Sequence, residues 1–206
     1  MQPFARKPNR LEPTTLFNNC PDLLNKKSVA DFWQWAFSDL LQNTTRGILA
    51  EYIVAVLLKS DATPRQPWDS YDLKLADGRT VEVKTMSYLQ AWAQKELSDP
   101  RVVLTPKRYW SSETGKMEQS PTLNADLYVI CFFTAKDHAN ADPLNAAQWE
   151  FFVLNRDLVA KIIQKQKSIT LKTLSKFNIR KLEAQELSAF IHNDSESLNL
   201  TSFSDN

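Results

Sequence analysis

The stretch Trp68-Asp-Ser-Tyr-Asp-Leu-Lys-Leu-Ala-Asp-Gly-Arg-Thr-Val-Glu-Val-Lys-Thr85 decides the fold of this chain. Two runs in which apolar and polar residues alternate lie on either side of Asp77-Gly78, which is the sequence signal of a β-hairpin. The alternation also predicts the loop length. A two-residue loop would place Leu73 opposite Glu82, an apolar side chain against a charged one. We therefore predict a three-residue loop.

In the three-residue loop, Ala76-Asp77-Gly78, Asp72 lies directly opposite Glu82, and Gly78 takes the left-handed position that such loops need. This register separates the two faces, and a slip of one residue would mix them. One face then carries Leu73, Leu75, Val81 and Val83, and the other carries Asp72, Lys74, Thr80, Glu82 and Lys84.

The polar face of this hairpin predicts a chemistry. Directly opposed residues have Cβ atoms about 5 Å apart, so Asp72 and Glu82 can hold one cation between them. Carboxylate oxygens are the ligands that Mg²⁺ prefers, and a bound metal polarises a phosphate and activates water. Lys84 points to the same side and is placed to position that water or to stabilise negative charge. The pattern indicates hydrolysis of a phosphodiester.

Asp72, nine intervening residues and then Glu82-Val83-Lys84 resemble the D…(D/E)XK signature of the PD-(D/E)XK nuclease-like, or restriction endonuclease-like, superfamily. The resemblance implies an α/β fold, with a mixed central sheet flanked by helices. It also implies that Asp72 and Glu82 are metal ligands and that Lys84 is the catalytic lysine. The sequence departs from the pattern at Tyr71, which stands where many members have proline.

Two further residues enter through this resemblance. Glu51 is the only charge between Arg46 and Lys59, and burying an unpaired carboxylate is costly. The resemblance makes Glu51 an auxiliary metal ligand or base, whereas a structural ion pair with Arg46 or Lys84 is the alternative. Gln90 follows the Lys84 strand and is a candidate supporting residue of the site, or an ordinary residue at the start of a helix.

The segment Lys107-Arg108-Tyr109-Trp110 is the candidate nucleic-acid contact, because basic residues interleaved with aromatic ones suit phosphate contact and base stacking. Its alternative is a solvated loop with a tryptophan anchored in the core. The expected partner is DNA, double-stranded, and double-strand cutting would predict a homodimer. Three scattered glycines argue against a nucleotide cofactor.

The composition excludes several classes of protein. A net charge of +1 neither supports nor excludes a nucleic-acid partner. Two cysteines and two histidines form no zinc-site spacing. No apolar run approaches the ~20 residues of a membrane helix, and no signal peptide is recognisable. We expect a cytoplasmic protein with no membrane partner.

Periodicity divides the chain into an irregular arm (1–27), a single nuclease-like domain (28–193) and a polar tail (194–206) that is expected to be disordered. Helices are predicted from Ser28 to about residue 41 and over 46–59, 89–97 and 156–166. The helix over 46–59 is apolar almost all round and should be buried on most sides. Strands are predicted over 71–75, 79–85, 102–105, 126–135 and 149–154, followed by a short strand and two short helices within 168–193.

The function expected from these features is a Mg²⁺-dependent nuclease that cleaves DNA, with Mn²⁺ as a substitute and endonuclease rather than exonuclease action. A restriction or defence role within that class rests on family analogy alone. Two alternatives remain open. One is a non-catalytic nucleic-acid-binding or assembly module with the same fold, and the other is the same site acting on RNA.

Overall fold

A computed structural model describes residues 8–66, 70–111, 116–117 and 119–193 of the chain. The strands in these ranges are β1 (Leu73–Lys74), β2 (Thr80–Ser87), β3 (Arg101–Val103), β4 (Trp110–Ser111), β5 (Lys116–Met117), β6 (Leu127–Phe133), β7 (Trp149–Asn155) and β8 (Ser168–Thr170). The α-helices are α1 (Asp22–Asn25), α2 (Val29–Phe37), α3 (Asn43–Leu57), α4 (Arg156–Ile163), α5 (Leu171–Lys176) and α6 (Ala184–Asn193), with a 3₁₀ turn at Ala146–Gln148.

The central sheet has four strands in the order β1-β2-β6-β7. β2 runs antiparallel to β1 and parallel to β6, and β6 runs antiparallel to β7. Two further pairs, β3 with β8 and β4 with β5, form small antiparallel ladders outside it. The predicted α/β class with a mixed central sheet flanked by helices is therefore confirmed.

The β1–β2 hairpin adopts the predicted register. Leu73 pairs with Val81 and Lys74 with Thr80, which leaves Asp72 next to Glu82. The amide of Gly78 donates to the Leu75 carbonyl at 3.0 Å, and Gly78 has φ +92°. Only glycine adopts that backbone conformation without strain. Gly78 therefore supplies the left-handed position that the predicted three-residue loop needs.

Each face of the sheet has its own apolar core. Val81 and Val83 pack with α3 and α6 on one face, whereas Met86 packs with α4, α5 and β8 on the other. All seven residues of β6 are buried, as expected for a central strand covered on both sides. Because side chains alternate along a strand, Glu82 and Lys84 point away from the α3 face.

The helix ends follow ordinary capping chemistry. The Ser28 hydroxyl accepts from the Asp31 amide at 3.2 Å, and the Asp31 carboxylate accepts from the Ser28 amide at 2.8 Å. This capping box begins α2. α3 begins three residues before its predicted start, because the side chain of Gln42 accepts from the Thr45 amide at 2.9 Å.

Two predictions for the helices were wrong. α3 is not buried on most sides, since Tyr52 is 55% and Val56 44% exposed. The helix expected over 89–97 does not form. The side chain of Gln94 instead accepts from the Gln90 amide at 2.7 Å and donates to the Tyr88 carbonyl at 3.2 Å. The Tyr88 carbonyl, which would accept the first hydrogen bond of such a helix, thus accepts from a side chain instead.

The ends of the chain are only partly described. The arm contains the short helix α1 and a β-bridge from Leu16 to Ser28. The predicted tail, 194–206, lies outside the described residues. Every helix within the described ranges is too short or too polar to cross a bilayer.

Gly78→Ala is expected to lower the free energy of unfolding by about 1 kcal/mol, because a Cβ at positive φ is strained even in open space. Gly47→Ala is the matched control. Gly47 lies inside α3, where a Cβ would meet nothing within 4 Å, so alanine should stabilise the protein by about 0.5–1 kcal/mol. Urea unfolding of both variants measures the two effects. Equal effects of the same sign would contradict the hairpin geometry.

Candidate active site

Asp72 lies at the point where the hairpin ladder ends. The last pair is Leu73 with Val81, so the Val83 amide has no strand partner on that side. It donates instead to Oδ2 of Asp72 at 2.7 Å, while the Asp72 amide donates to the Val81 carbonyl at 3.0 Å. The short first strand thus leaves a backbone donor that fixes the carboxylate beside β2.

The carboxyl group of Asp72 has a pKa well above its ordinary value. Partial burial, followed by the negative charges of Glu82 and Glu51, raises its pKa to about 7, although the Val83 amide and Lys84 act in the opposite direction. Like charges in a poorly hydrated place disfavour ionisation. Three carboxylates therefore share one electrostatic environment, although they come from α3, the residue before β1, and β2.

Glu82 and Lys84 lie two residues apart on β2 and so project from the same side of the sheet. The Lys84 ammonium donates to Oε1 of Glu82 and lies 3.4 Å from the Val83 carbonyl oxygen. The Glu82 side chain is 13% exposed and that of Lys84 28%. The lysine is therefore held at the carboxylates while remaining accessible to a substrate.

Glu51 is compensated by a residue that the sequence analysis did not consider. Arg65, in the connection between α3 and β1, donates through Nη2 to Oε1 of Glu51 at 2.9 Å and through Nε to Oε2. Arg46 binds backbone carbonyls instead, at Leu41 (2.7 Å) and Leu89 (3.2 Å). The structural ion pair that was the alternative for Glu51 therefore forms, but its partner is Arg65 rather than Arg46 or Lys84.

A cavity of about 800 Å³ opens beside the Glu51–Arg65 ion pair and Asp72. Glu51, Arg65 and Asp72 line one part of it. Its aromatic lining consists of Trp33, Phe37, Tyr52 and Tyr71. The exposed face of α3 that the sequence predicted to be buried is thus one wall of this cavity.

The metal-binding capacity of the site can be judged from its donors. Among the described residues, no group of three or more His, Cys, Asp or Glu side chains is gathered closely enough to hold a metal ion. Glu82 is turned to Lys84 and Glu51 to Arg65. Mg²⁺, however, is usually bound by one or two carboxylates together with water and substrate phosphate. The oxygen donors of Asp72 and Glu82 fit that mode, and a cation would offset the burial and the repulsion that together raise the pKa of Asp72.

The sequence model of the bacteriophage T4 endonuclease IV family matches residues 30–173. The chain belongs to this family. The match covers α2, α3, the hairpin and the central sheet, and it includes each charged residue described above. No curated protein matches the chain. The match supports membership of a nuclease family.

In this endonuclease IV family member, Tyr109 of the candidate nucleic-acid contact lies near the candidate active site. Burial and the negative charges of Glu82 and Asp72 raise the pKa of the Tyr109 phenol, so Tyr109 lies within electrostatic reach of the carboxylates. Lys107 and Arg108 are exposed, and Lys107 exchanges backbone hydrogen bonds with Thr122 at 3.1 and 3.0 Å. The side chain of Trp110 is outside the described part of the structure.

Gln90 is directed into a different network. Its side chain donates to the Ser98 hydroxyl at 3.1 Å, and Gln94 donates to the same oxygen at 3.0 Å. Among the described residues, Gln90 makes no hydrogen bond with Asp72, Glu82 or Lys84. These contacts stabilise the turn after β2. They do not connect Gln90 to the candidate active site, so its supporting role stays a prediction.

Proposed function

We propose that this protein is a Mg²⁺-dependent DNA endonuclease of the PD-(D/E)XK type, whose active site consists of Asp72, Glu82 and Lys84, with Glu51 as an auxiliary residue. The observation that carries the proposal is the hairpin register. It sets Asp72 beside Glu82, with Lys84 hydrogen-bonded to Glu82. Membership of the endonuclease IV family supports the reaction class independently of this geometry.

Mg²⁺ is proposed as the cofactor, with Mn²⁺ as a substitute, and Asp72 and Glu82 would hold it. When bound, the metal would polarise the scissile phosphate and lower the pKa of a water molecule. The Val83 amide keeps the Asp72 carboxylate oriented through its 2.7 Å hydrogen bond, so one ligand is oriented before binding. Such preorganisation lowers the entropic cost of assembling the site.

Lys84 would act on the reacting groups directly. Its ammonium group is hydrogen-bonded to Glu82 and its side chain is 28% exposed, so the lysine is close to one proposed ligand and partly open to solvent. In this position it can donate a hydrogen bond to the attacking water or to a phosphate oxygen that gains negative charge.

The substrate is proposed to be DNA, because the family is described as an endonuclease of bacteriophage T4 and because aromatic side chains line the cavity next to the carboxylates. Aromatic rings beside cationic groups suit contact with bases and phosphates. Tyr109 supports the same interpretation from the side of the long connection. The basic residues Lys107 and Arg108 remain proposed phosphate contacts.

The first experiment compares four substrates of one sequence: supercoiled plasmid, linear duplex, denatured single strands and RNA. Each is incubated with the purified protein in Mg²⁺, Mn²⁺ or EDTA. Cleavage of DNA that requires a divalent metal is expected, and nicking of the closed circle would identify an endonuclease. Discrete fragments from the linear duplex would indicate restriction-type sequence specificity.

Cleavage of RNA alone would replace the proposal by an RNA nuclease. Tight DNA binding without cleavage in either metal would favour a non-catalytic binding or assembly module. Sedimentation analysis of the same preparation tests the proposed homodimer, which double-strand cutting by one site per chain requires.

A further inference from the structure

Arg65 has a side chain that the proposed reaction does not yet use. It lies in a connection between α3 and β1 and is in neither a helix nor a strand. Its side chain is 39% exposed, whereas that of its partner Glu51 is 14% exposed. The guanidinium group has five N–H donors, and its two bonds to Glu51 are the only ones found among the described residues.

The position of Arg65 places its guanidinium group beside the proposed chemistry. Arg65, Glu51 and Asp72 line the same cavity. The forked guanidinium group binds a carboxylate or a phosphate with the same two-point geometry. Glu51 occupies the edge formed by Nε and Nη2, so a DNA phosphate that binds this edge would compete with Glu51 for Arg65.

A metal ion would likewise compete with Arg65 for Glu51. Both oxygens of Glu51 accept hydrogen bonds from Arg65, and among the described residues Glu51 as oriented forms no metal-holding group with Asp72 and Glu82. A turn of Glu51 toward a metal would therefore break this ion pair. The two events, metal binding at Glu51 and phosphate binding at Arg65, require the same ion pair to open. Each event should therefore favour the other, since coupling between two binding equilibria is reciprocal.

We propose that Arg65 binds a phosphate of the substrate and that Glu51 holds it in the free protein, so that the pair exchanges partners when metal and DNA bind. Glu51 turns to the metal, and Arg65 turns to the phosphate. This inference rests on the proposed function, and it adds a residue that makes metal and DNA binding depend on each other.

Arg65→Met tests the exchange through metal binding, without any need for cleavage. Titration of Mn²⁺ alone is expected to show binding about threefold to fivefold tighter than in the wild type, because Glu51 is no longer held by an ion pair of ordinary strength. DNA affinity and the cleavage rate at saturating metal should fall at least tenfold, because a charge-assisted contact is lost. Opposite effects on metal and DNA are the signature of the exchange.

Arg10→Met is the matched control. Arg10 lines the same cavity but donates to the backbone carbonyl of Asp61 at 2.9 Å, so its loss should leave metal affinity unchanged. Arg65→Lys keeps the positive charge beside Glu51 without the fork, and it carries the test if Arg65→Met does not fold. Wild-type metal affinity with cleavage reduced at least severalfold is expected for this variant.

A folded Arg65→Met protein whose Mn²⁺ affinity is unchanged or weaker would overturn the inference, as would Arg65→Lys that cleaves at the wild-type rate. Either result would make Arg65 a purely structural partner of Glu51. Neither would affect the proposed function, which fails only if the wild-type protein does not cleave DNA in a metal-dependent way.

Discussion

Asp72→Asn is expected to abolish metal-dependent cleavage and, in the metal-free protein, to increase stability above pH 7. The variant removes a ligand charge but keeps an oxygen that can accept the Val83 amide, which now bonds Oδ2 at 2.7 Å. Loss of one of two carboxylates that hold the metal should reduce the cleavage rate at least 100-fold. Cleavage would then require the charged carboxylate at residue 72, whereas stability above pH 7 would favour the neutral amide.

The pH dependence follows from the raised pKa of Asp72, about 7 in the folded protein and about 4 in an unfolded chain. Between these values the folded state binds more protons than the unfolded state, so stability falls as the pH rises from about 4 to 7. At pH 8 the asparagine variant should be more stable by about 2 kcal/mol. This is below the full pKa difference, because the group is only partly buried.

Urea unfolding in EDTA at pH 5 and pH 8 measures this effect, and the advantage of Asp72→Asn should shrink at pH 5. Asp126→Asn is the matched control, and its effect on stability should have the opposite sign. The Thr80 amide and hydroxyl both donate to Oδ2 of Asp126 at 2.8 Å, and its pKa is lowered despite some burial. Asparagine there should destabilise the protein at pH 8. Destabilisation by Asp72→Asn at pH 8 would contradict the shared carboxylate environment.

Lys84→Met is expected to reduce the cleavage rate by about 10²–10³ at saturating Mg²⁺, the range typical for loss of a preorganised electrostatic or proton-transfer contact. The fold should be retained, because the Lys84 side chain is 28% exposed and its ammonium group contacts only Glu82 and the Val83 carbonyl among the described residues. Binding of Mn²⁺ should be unchanged or tighter, because Glu82 is released from its ion pair.

Single-turnover cleavage together with Mn²⁺ titration measures both parts of this prediction. Lys165→Met provides the control, since Lys165 is an exposed lysine just after α4 that lies outside the hairpin and the cavity lining, and its loss should change the rate less than about threefold. A Lys84→Met protein that cleaves like the wild type would remove Lys84 from the mechanism. Equal losses in both variants would indicate a general charge effect.

The hairpin and the placement of Asp72 beside Glu82 could be predicted from the sequence because a period of two leaves little freedom. Only one loop length separates Leu73 and Val81 from Asp72 and Glu82, and Gly78 then has to take the positive φ that it shows. The buried strand β6 was recognisable for a similar reason, since a continuous apolar run indicates a strand covered on both faces.

What the sequence did not predict depends on side-chain contacts that hydrophobic periodicity does not show. Arg65 lies in a connection without periodicity, so nothing local indicates that it meets Glu51. The turn over 89–97 forms because Gln94 bonds backbone groups of Gln90 and Tyr88, a competition that helical propensity does not include. The exposure of Tyr52 reflects a cavity beside α3, whereas its apolar neighbours had indicated burial.

The central claim is that Asp72 and Glu82 hold the metal of a DNA-cleaving site, and the most direct test compares the wild type with Glu82→Gln on supercoiled plasmid in Mg²⁺ and in EDTA. We predict nicking by the wild type in Mg²⁺, none in EDTA, and a rate at least 100-fold lower in Glu82→Gln with the fold intact. Nicking that persists in EDTA, or Glu82→Gln activity equal to that of the wild type, would contradict the account.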